Sequence, residues 1–143
     1  EFMSDGSDSD EDLLVEESNK PYHPKYDYSH LQKRSWEVDF KAFSEKFWPS
    51  LSWRGKFSPL VLWTEISAYI KGSPQSYLSR GFCLTKDEYL LLSKKSSMLS
   101  QEEKIEIYKA FLAYEEWKRS YRGYDFQDIV NYILSEIHCH GYK

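Results

Sequence analysis

Helix boundary signals are the feature of this sequence that most constrains its fold. Ser58 and Pro59 pair an N-cap residue with a proline at the first helical position, and Gly72 closes the apolar stripe that follows them. Residues 85–88 and 100–103 both have the capping-box pattern, in which a hydroxyl and a carboxylate each accept a backbone N–H at a helix start. No segment shows sustained alternation of apolar and polar residues, so no sheet of consequence is expected. The sequence predicts an all-α fold.

Five helices follow from these signals and from the apolar periodicity between them. Their predicted spans are about 40–48, 58–72, 85–94, 101–120 and 126–138, and residues 73–82 are predicted to be a loop. In the longest helix the inward face is predicted to include Ile105, Tyr108, Leu112 and either Glu115 or Glu116. The last helix has an apolar stripe on one side. Its members are Ile129, Val130, Ile133, Leu134 and Ile137.

The amino-terminal quarter differs in composition from the rest. Residues 1–17 contain eight acidic residues and neither Lys nor Arg, so residues 1–18 are predicted to be a disordered acidic tail. Glu1 and Phe2 precede Met3 in the manner of a cloning remnant, so we expect the chain to be a piece of a longer protein. Residues 19–36, with two prolines and no helical period, are predicted to be a linker or an extended lead-in. The helical bundle is therefore assigned to residues 37–140.

The acidic tail also contains two candidate phosphorylation sites. Ser7 and Ser9 each have an aspartate three residues later, which is the pattern that an acid-directed kinase recognises. The alternative interpretation, which the composition favours, is that the tail is only a solvated charged segment.

The net charge of −4 hides a mildly basic bundle. Residues 18–143 contain 19 basic and 15 acidic residues, a net charge of +4 that is too small to imply strong nucleic-acid affinity alone. No uncharged apolar run approaches the length of a membrane span, and no secretory signal is visible. Cys83 and Cys139 are expected to be free thiols of an intracellular protein, in the nucleus or the cytoplasm.

Catalytic motifs are missing from the sequence. It has no phosphate-binding glycine loop, no dinucleotide fingerprint and no nucleophile elbow. The adjacent residues 138–140, His-Cys-His, cannot all face one ion from a regular helix. Asp125 and Asp128 could form a metal or acid–base pair, but helix capping explains them better. We therefore predict no catalytic residue, no metal and no cofactor in this chain.

A short basic and aromatic stretch is the best candidate for contact with nucleic acid. Trp53, Arg54 and Lys56 lie together in a predicted loop, where a ring could stack on a base while the cations hold phosphates. The alternative is that the rings pack beneath the loop and only the cations face water. The remaining candidate contacts are Lys71, Lys94 and Lys95.

Three stretches, residues 57–73, 84–95 and 107–134, resemble one family in this order. They resemble helical subdomain 1B, the first insertion of UvrD/Rep-like superfamily 1 helicases. They are similar in particular to the UvrD-like region of eukaryotic TPR and ankyrin repeat-containing helicase-like proteins. The most specific string runs from Trp63 through Glu65 to Ser73, and the segment beginning Asp125 resembles the family's DFDDLL segment.

The resemblance implies a parent that is an ATP-dependent helicase. ATP and Mg²⁺ would bind only to the parent's motor domains, because this chain has neither the phosphate-binding lysine motif nor the DExQD segment. The chain itself would be a non-catalytic accessory subdomain beside the path of DNA or RNA, contacting the motor core. Trp63, Glu65, Asp125 and Asp128 would be structural. The alternative is a protein-protein interaction module with no nucleic-acid role and no membrane contact.

Overall fold

The computed structural model describes residues 36–52, 56–79, 82–92 and 98–140. These residues form six helices, which confirms the all-α prediction. Helix α1 spans residues 40–47, of which Phe40–Ala42 is α-helical and Phe43–Phe47 is π-helical, and a 3₁₀ turn follows over Trp48–Ser50. Helix α2 spans residues 59–70, with an α-helical part, Pro59–Thr64, and a π-helical part, Glu65–Ile70. The others are α3, Pro74–Leu78; α4, Lys86–Leu90; α5, Gln101–Ser120; and α6, Phe126–His140.

The predicted caps are present at the helix starts. The side chain of Asp39 accepts from the backbone N–H of Ala42, and that of Ser58 accepts from Val61. Both predicted capping boxes form, at α4 and at α5. Because each cap satisfies donors that the helix cannot satisfy itself, the caps fix where the helices begin.

Helix α3 corrects the prediction of a loop over residues 73–82. Ser73 caps this helix by accepting from the backbone N–H of Ser76, and Pro74 occupies the first helical position. The helix has only five residues, so it is too short to show an apolar period in the sequence.

A two-residue parallel ladder is the only strand pairing among the described residues. Strand β1, Trp36–Glu37, pairs with β2, Gly123–Tyr124, in the register Trp36 to Gly123. The indole N–H of Trp36 also donates to the backbone oxygen of Tyr121 at 2.7 Å. The ladder therefore holds the first described residues beside the turn that leads into α6.

An aromatic core packs α1, α2 and α5 together. The ring centroid of Phe43 lies 5.0 Å from that of Trp63 and 5.3 Å from that of Tyr114. Phe47 joins the same group, 5.4 Å from both Tyr114 and Trp117. Aromatic pairs at these separations add stabilisation beyond the apolar area that they bury.

The buried face of α5 differs from the predicted one. Leu112 is 56 % exposed, whereas Ile107, Phe111 and Tyr114 are buried. Lys104 is also buried, and its ammonium donates to the backbone oxygen of Leu92 at 3.0 Å. The prediction for Leu112 is wrong because the inward face of α5 includes two lysines, Lys104 and Lys118. Their charged side chains interrupt the apolar periodicity from which a buried face is predicted.

None of the helices in the described part of the chain combines the length and the apolar character needed to cross a bilayer.

Candidate functional site: helix α6 and the ion cluster beneath it

Helix α6 lies on the protein with its polar side inward. Asp128 and Asn131 are buried, whereas Phe126 is 67 % exposed, Ile133 50 % and Ile137 39 %. At 3.6 residues per turn the exposed residues lie on one side and the buried ones on the other. The side that carries Phe126, Ile133 and Ile137 is therefore turned toward water, which is the reverse of the usual arrangement for a helix packed on a soluble domain. Of the apolar stripe that the sequence predicts on this helix, Ile133 and Ile137 are exposed, and the half-buried members are Ile129, Val130 and Leu134.

Five buried charged side chains explain this orientation, and we call them the ion cluster. Lys71 reaches Glu115 at 3.0 Å, Asp125 at 2.9 Å and Asp128 at 2.7 Å. Lys118 reaches the same three carboxylates at 2.9, 2.9 and 2.7 Å. All five side chains are buried, so their mutual attraction is screened by water much less than at the surface.

Three helices supply the ion cluster. Lys71 directly follows the π-helical part of α2, and Glu115 and Lys118 are one turn apart on α5. At the start of α6, the carboxylate of Asp125 accepts from the backbone N–H of Asp128, and that of Asp128 accepts from the N–H of Asp125, both at 2.9 Å. The two aspartates thus cap the helix and bind the lysines simultaneously.

The charges in the ion cluster hold one another in their ionised forms. Burial alone would raise the pKa of Asp125, but the ammonium groups of Lys118 and Lys71 outweigh it and hold this pKa well below its usual range. Burial alone would lower the pKa of Lys71, but Asp125, Asp128 and Glu115 raise it well above its ordinary value. Asp125 and Lys71 are therefore both charged across the neutral pH range.

The ion cluster is suited to holding helices together. Glu115, Asp125 and Asp128 bring carboxylate oxygens within 4.8 Å of one another, which is a donor set that hard cations prefer. Two ammonium groups already lie among these oxygens, at 2.7 to 3.0 Å, and supply the positive charge that a metal ion would supply. The two lysines therefore occupy the position that a metal ion would have among these carboxylates.

Lys71 requires a correction to the predicted nucleic-acid contacts. Its side chain is 3 % exposed and its ammonium is bound by three carboxylates. It cannot reach a phosphate without breaking the ion cluster, so the prediction for Lys71 is wrong.

Of the other predicted contacts, Lys56 is the one that lies within the described residues. Lys56 is on the surface, with a side chain 60 % exposed and its ammonium 3.9 Å from Glu106. The remaining predicted sites lie outside the described residues, and their roles stay predictions. These are Ser7, Ser9, Trp53, Arg54, Lys94 and Lys95.

In the most specific string of the sequence, Glu65 is buried and Trp63 is half-buried. Trp63 packs on the aromatic core, and the buried carboxylate of Glu65 accepts from the hydroxyl of Tyr89 at 2.5 Å. Burial and this hydrogen bond to Glu65 together raise the pKa of Tyr89 far above its usual value. Burial likewise raises the pKa of the free Cys83 thiol to about 11, so this cysteine is not an activated nucleophile.

A cavity of about 330 Å³ lies where α2 meets the start of α6. Exposed Ala68 contributes to one wall and exposed Phe126 to the other, so the cavity is continuous with the apolar stripe of α6. Its full lining is Trp63, Ser67, Ala68, Asp125, Phe126 and Gln127.

The comparisons with known proteins show a similarity to a human protein. No protein-family profile matches the chain, and no solved structure matches it. The chain is 30 % identical over 132 residues to TPR and ankyrin repeat-containing protein 1 of Homo sapiens. The match covers 92 % of this chain but 4 % of the relative. The predicted similarity to a TPR and ankyrin repeat-containing protein is thus found, and the assignment to helicase subdomain 1B stays a prediction.

Proposed function

We propose that this chain is a non-catalytic helical module that binds another protein through the outward apolar side of α6. The observation that carries the proposal is the reversed polarity of this helix, which exposes Phe126, Ile133 and Ile137 together. Exposing such a stripe to water is unfavourable, at about 25 cal/mol for each Å² of apolar surface. A contiguous exposed apolar face is typical of a protein interaction site.

The cavity beside Phe126 supports the proposal. It adjoins the stripe and is walled in part by the rings of Trp63 and Phe126. Protein interfaces derive much of their affinity from a few bulky side chains that fill such pockets. A partner lying along α6 can place one apolar side chain there.

The human relative supports the same class of function. It is named for TPR and ankyrin repeats, and both are stacked repeats that present extended binding surfaces. Because the chain spans 4 % of that relative, the relative supports the class of interaction and names no partner for this chain.

Helical peptides selected from a display library test the proposal. We expect selected amphipathic 15-residue peptides to bind the wild-type chain, and Ile133→Asp to weaken them by roughly tenfold or more, since it puts a charge in the apolar contact. Fluorescence anisotropy measures the dissociation constants. The matched control is Leu112→Asp, because Leu112 is exposed to a similar degree but lies on α5. Failure to recover any peptide sensitive to Ile133→Asp contradicts the proposal.

A second candidate function rests on the sequence resemblance over residues 57–73, 84–95 and 107–134. In this proposal the chain is an accessory subdomain of a UvrD-like helicase, placed against the motor core and beside DNA or RNA. Exposed Lys56 then contributes to binding together with Trp53, Arg54, Lys94 and Lys95. The ATP and Mg²⁺ of the reaction belong to the parent's motor domains.

A titration with labelled single strands and duplexes at low salt tests this candidate. We expect binding at protein concentrations below about 100 μM that weakens as salt rises, because phosphate contacts release counterions. Lys56→Glu should weaken it, whereas Lys109→Glu, an exposed lysine on α5, should change it less. Absence of binding at about 100 μM contradicts the candidate.

A further inference from the structure

The outward side of α6 has the spacing of a two-helix seam. Exposed Phe126, half-buried Val130, and exposed Ile133 and Ile137 are separated by four, three and four residues, which is the repeat of core positions in a coiled coil. β-Branched residues occupy three of these four positions, and their stiff side chains suit such a seam. An α-helix carrying the same spacing is therefore the partner shape that fits best.

We infer that the occupant is helix α6 of a second copy of this chain, running antiparallel; this inference rests on the proposed function and names its partner. Antiparallel pairing centred between Val130 and Ile133 places these two residues opposite each other across the seam. The same register places Phe126 of one copy opposite Ile137 of the second. The stripe is thus complementary to itself about a two-fold axis, with no apolar residue left opposite a charged one.

The charges of α6 agree with pairing of two copies. Among residues 126–137 the charged side chains are Asp128 and Glu136. Asp128 points inward and is neutralised in the ion cluster. In the antiparallel register Glu136 comes opposite Gln127, whose amide carries no charge. Two copies can therefore approach along α6 without opposing like charges.

The outward side of α5 shows why α6 is the pairing surface. Leu112 is exposed there, but several carboxylates share the surface of that helix. These carboxylates alternate with exposed Lys109 and Arg119, so the outward side of α5 is a mixed charged surface and has no continuous apolar stripe to pair. The carboxylates are Glu102, Glu103, Glu106 and Glu116.

The length of α6 sets the expected strength of the pair. Its 15 residues extend over about 22 Å at 1.5 Å per residue. A seam of this length buries less than the roughly 800 Å² per partner of a standard stable interface. A small interface of this kind is typical of weak, reversible association, so the pairing is tested over a wide range of protein concentration.

Sedimentation velocity of the full chain from about 2 to about 500 μM tests the pairing. The wild-type chain of 17.1 kDa should shift from monomer to dimer across this range. Ile133→Asp should stay monomeric, and the matched variant Leu112→Asp should dimerise like the wild type. A wild-type chain that stays monomeric at about 500 μM, or an Ile133→Asp variant that dimerises equally, overturns the inference.

Disulfide trapping tests the direction of the pair. In a background with Cys83→Ala and Cys139→Ser, the single variants Val130→Cys and Ile133→Cys are oxidised as a mixture. Antiparallel pairing should give mainly the mixed disulfide, because Val130 lies opposite Ile133. Mainly homodisulfides would overturn the antiparallel register.

The two proposals fail in different ways. If the chain stays monomeric but selected peptides still bind and remain sensitive to Ile133→Asp, the stripe binds a different helix and only the pairing is wrong. If neither self-association nor such peptides are found, the proposed function fails as well.

Discussion

The aromatic core and the ion cluster share α2 and α5, but they act by different physical means and each adds a different third helix. In the core, Phe43 packs α1 against Trp63 of α2 and Tyr114 of α5 through ring contacts near 5 Å. Such contacts stabilise through burial and close packing, and edge-on and tilted ring arrangements both satisfy them. In the ion cluster each ammonium must reach three carboxylates, so α6 can take only one rotational position. The core binds helices tightly, and the cluster determines which side of α6 faces water.

The largest effect is expected from Asp125→Ala. This substitution removes a carboxylate shared by Lys71, Lys118 and the hydroxyl of Tyr114, and it removes the cap of α6. The free energy of unfolding should fall by about 4 kcal/mol, because two buried ammonium groups and a buried hydroxyl each lose a hydrogen-bond partner and α6 loses its cap. Urea denaturation measures the change. Asp39→Ala, at the exposed cap of α1, is the matched control and should cost about 1 kcal/mol; equal losses would contradict a special role for the cluster.

A comparable loss is expected in the aromatic core for Phe43→Ala. Phe43 is fully buried, and removing its ring should lower the free energy of unfolding by about 3 to 4 kcal/mol through lost transfer energy and a residual cavity. Denaturation at several pH values checks that this loss is independent of pH. Phe40→Ala, at the exposed edge of the same helix, should cost less than half as much, and a larger loss there would show that the core lies elsewhere.

The pH dependence separates the two regions further. The pKa of Lys71 is raised on folding, so its contribution is fully present below the unfolded value of about 10.4 and is lost as pH rises through the folded value. The pKa of Asp125 is lowered, so its contribution is present above about 3.9 and is lost as pH falls through the folded value.

Comparing the wild type with Lys71→Met isolates the lysine's part. The difference between their free energies of unfolding should be constant from about pH 5 to about pH 9 and should shrink above about pH 10.4. Both chains keep Tyr89, whose pKa is set by burial, Glu65 and Tyr69 and not by Lys71, so its alkaline titration cancels in the comparison. A difference that stays constant to about pH 12 would show that Lys71 is not held by the carboxylates.

The smallest effect is a gain expected for Arg122→Gly. Arg122 follows the end of α5 with φ of 56°, a left-handed conformation that favours glycine. Relief of this strain should raise the free energy of unfolding by about 0.5 to 1 kcal/mol. Thermal unfolding measures it. A loss of stability would mean that the Arg122 side chain, rather than its backbone, matters at the turn before α6.

Local signals in the sequence predict the helices but not the outward face of α6. Caps such as Ser58 and Ser100 act within four residues, so they can be found without knowing the fold. The orientation of α6 depends on Lys71, which is 54 residues from Asp125 along the chain. Periodicity shows that the apolar residues share one side of the helix. It does not show whether that side or the polar side packs against the rest of the protein.

A weak signal for the ion cluster exists in the sequence. Asp125, Asp128, Asn131 and Ser135 recur at helical spacing on the side opposite the apolar stripe, a second polar face that capping alone does not require. On α5, Glu115 and Lys118 have the spacing of an ion pair, but on the surface this pattern is common. Only burial distinguishes the two cases, and burial depends on the whole fold.

The π-helical part of α2 contains one residue more than a regular α-helical turn would need to reach Lys71. In this turn the backbone N–H of Lys71 donates to the oxygen of Ile66, five residues back instead of four. Deleting one residue there, such as exposed Ala68, would place Lys71 four residues after Ile66, so the same hydrogen bond would close a regular α-helical turn. Lys71 would still point toward its carboxylates, so this turn can lose a residue without changing the side of α6 that faces water.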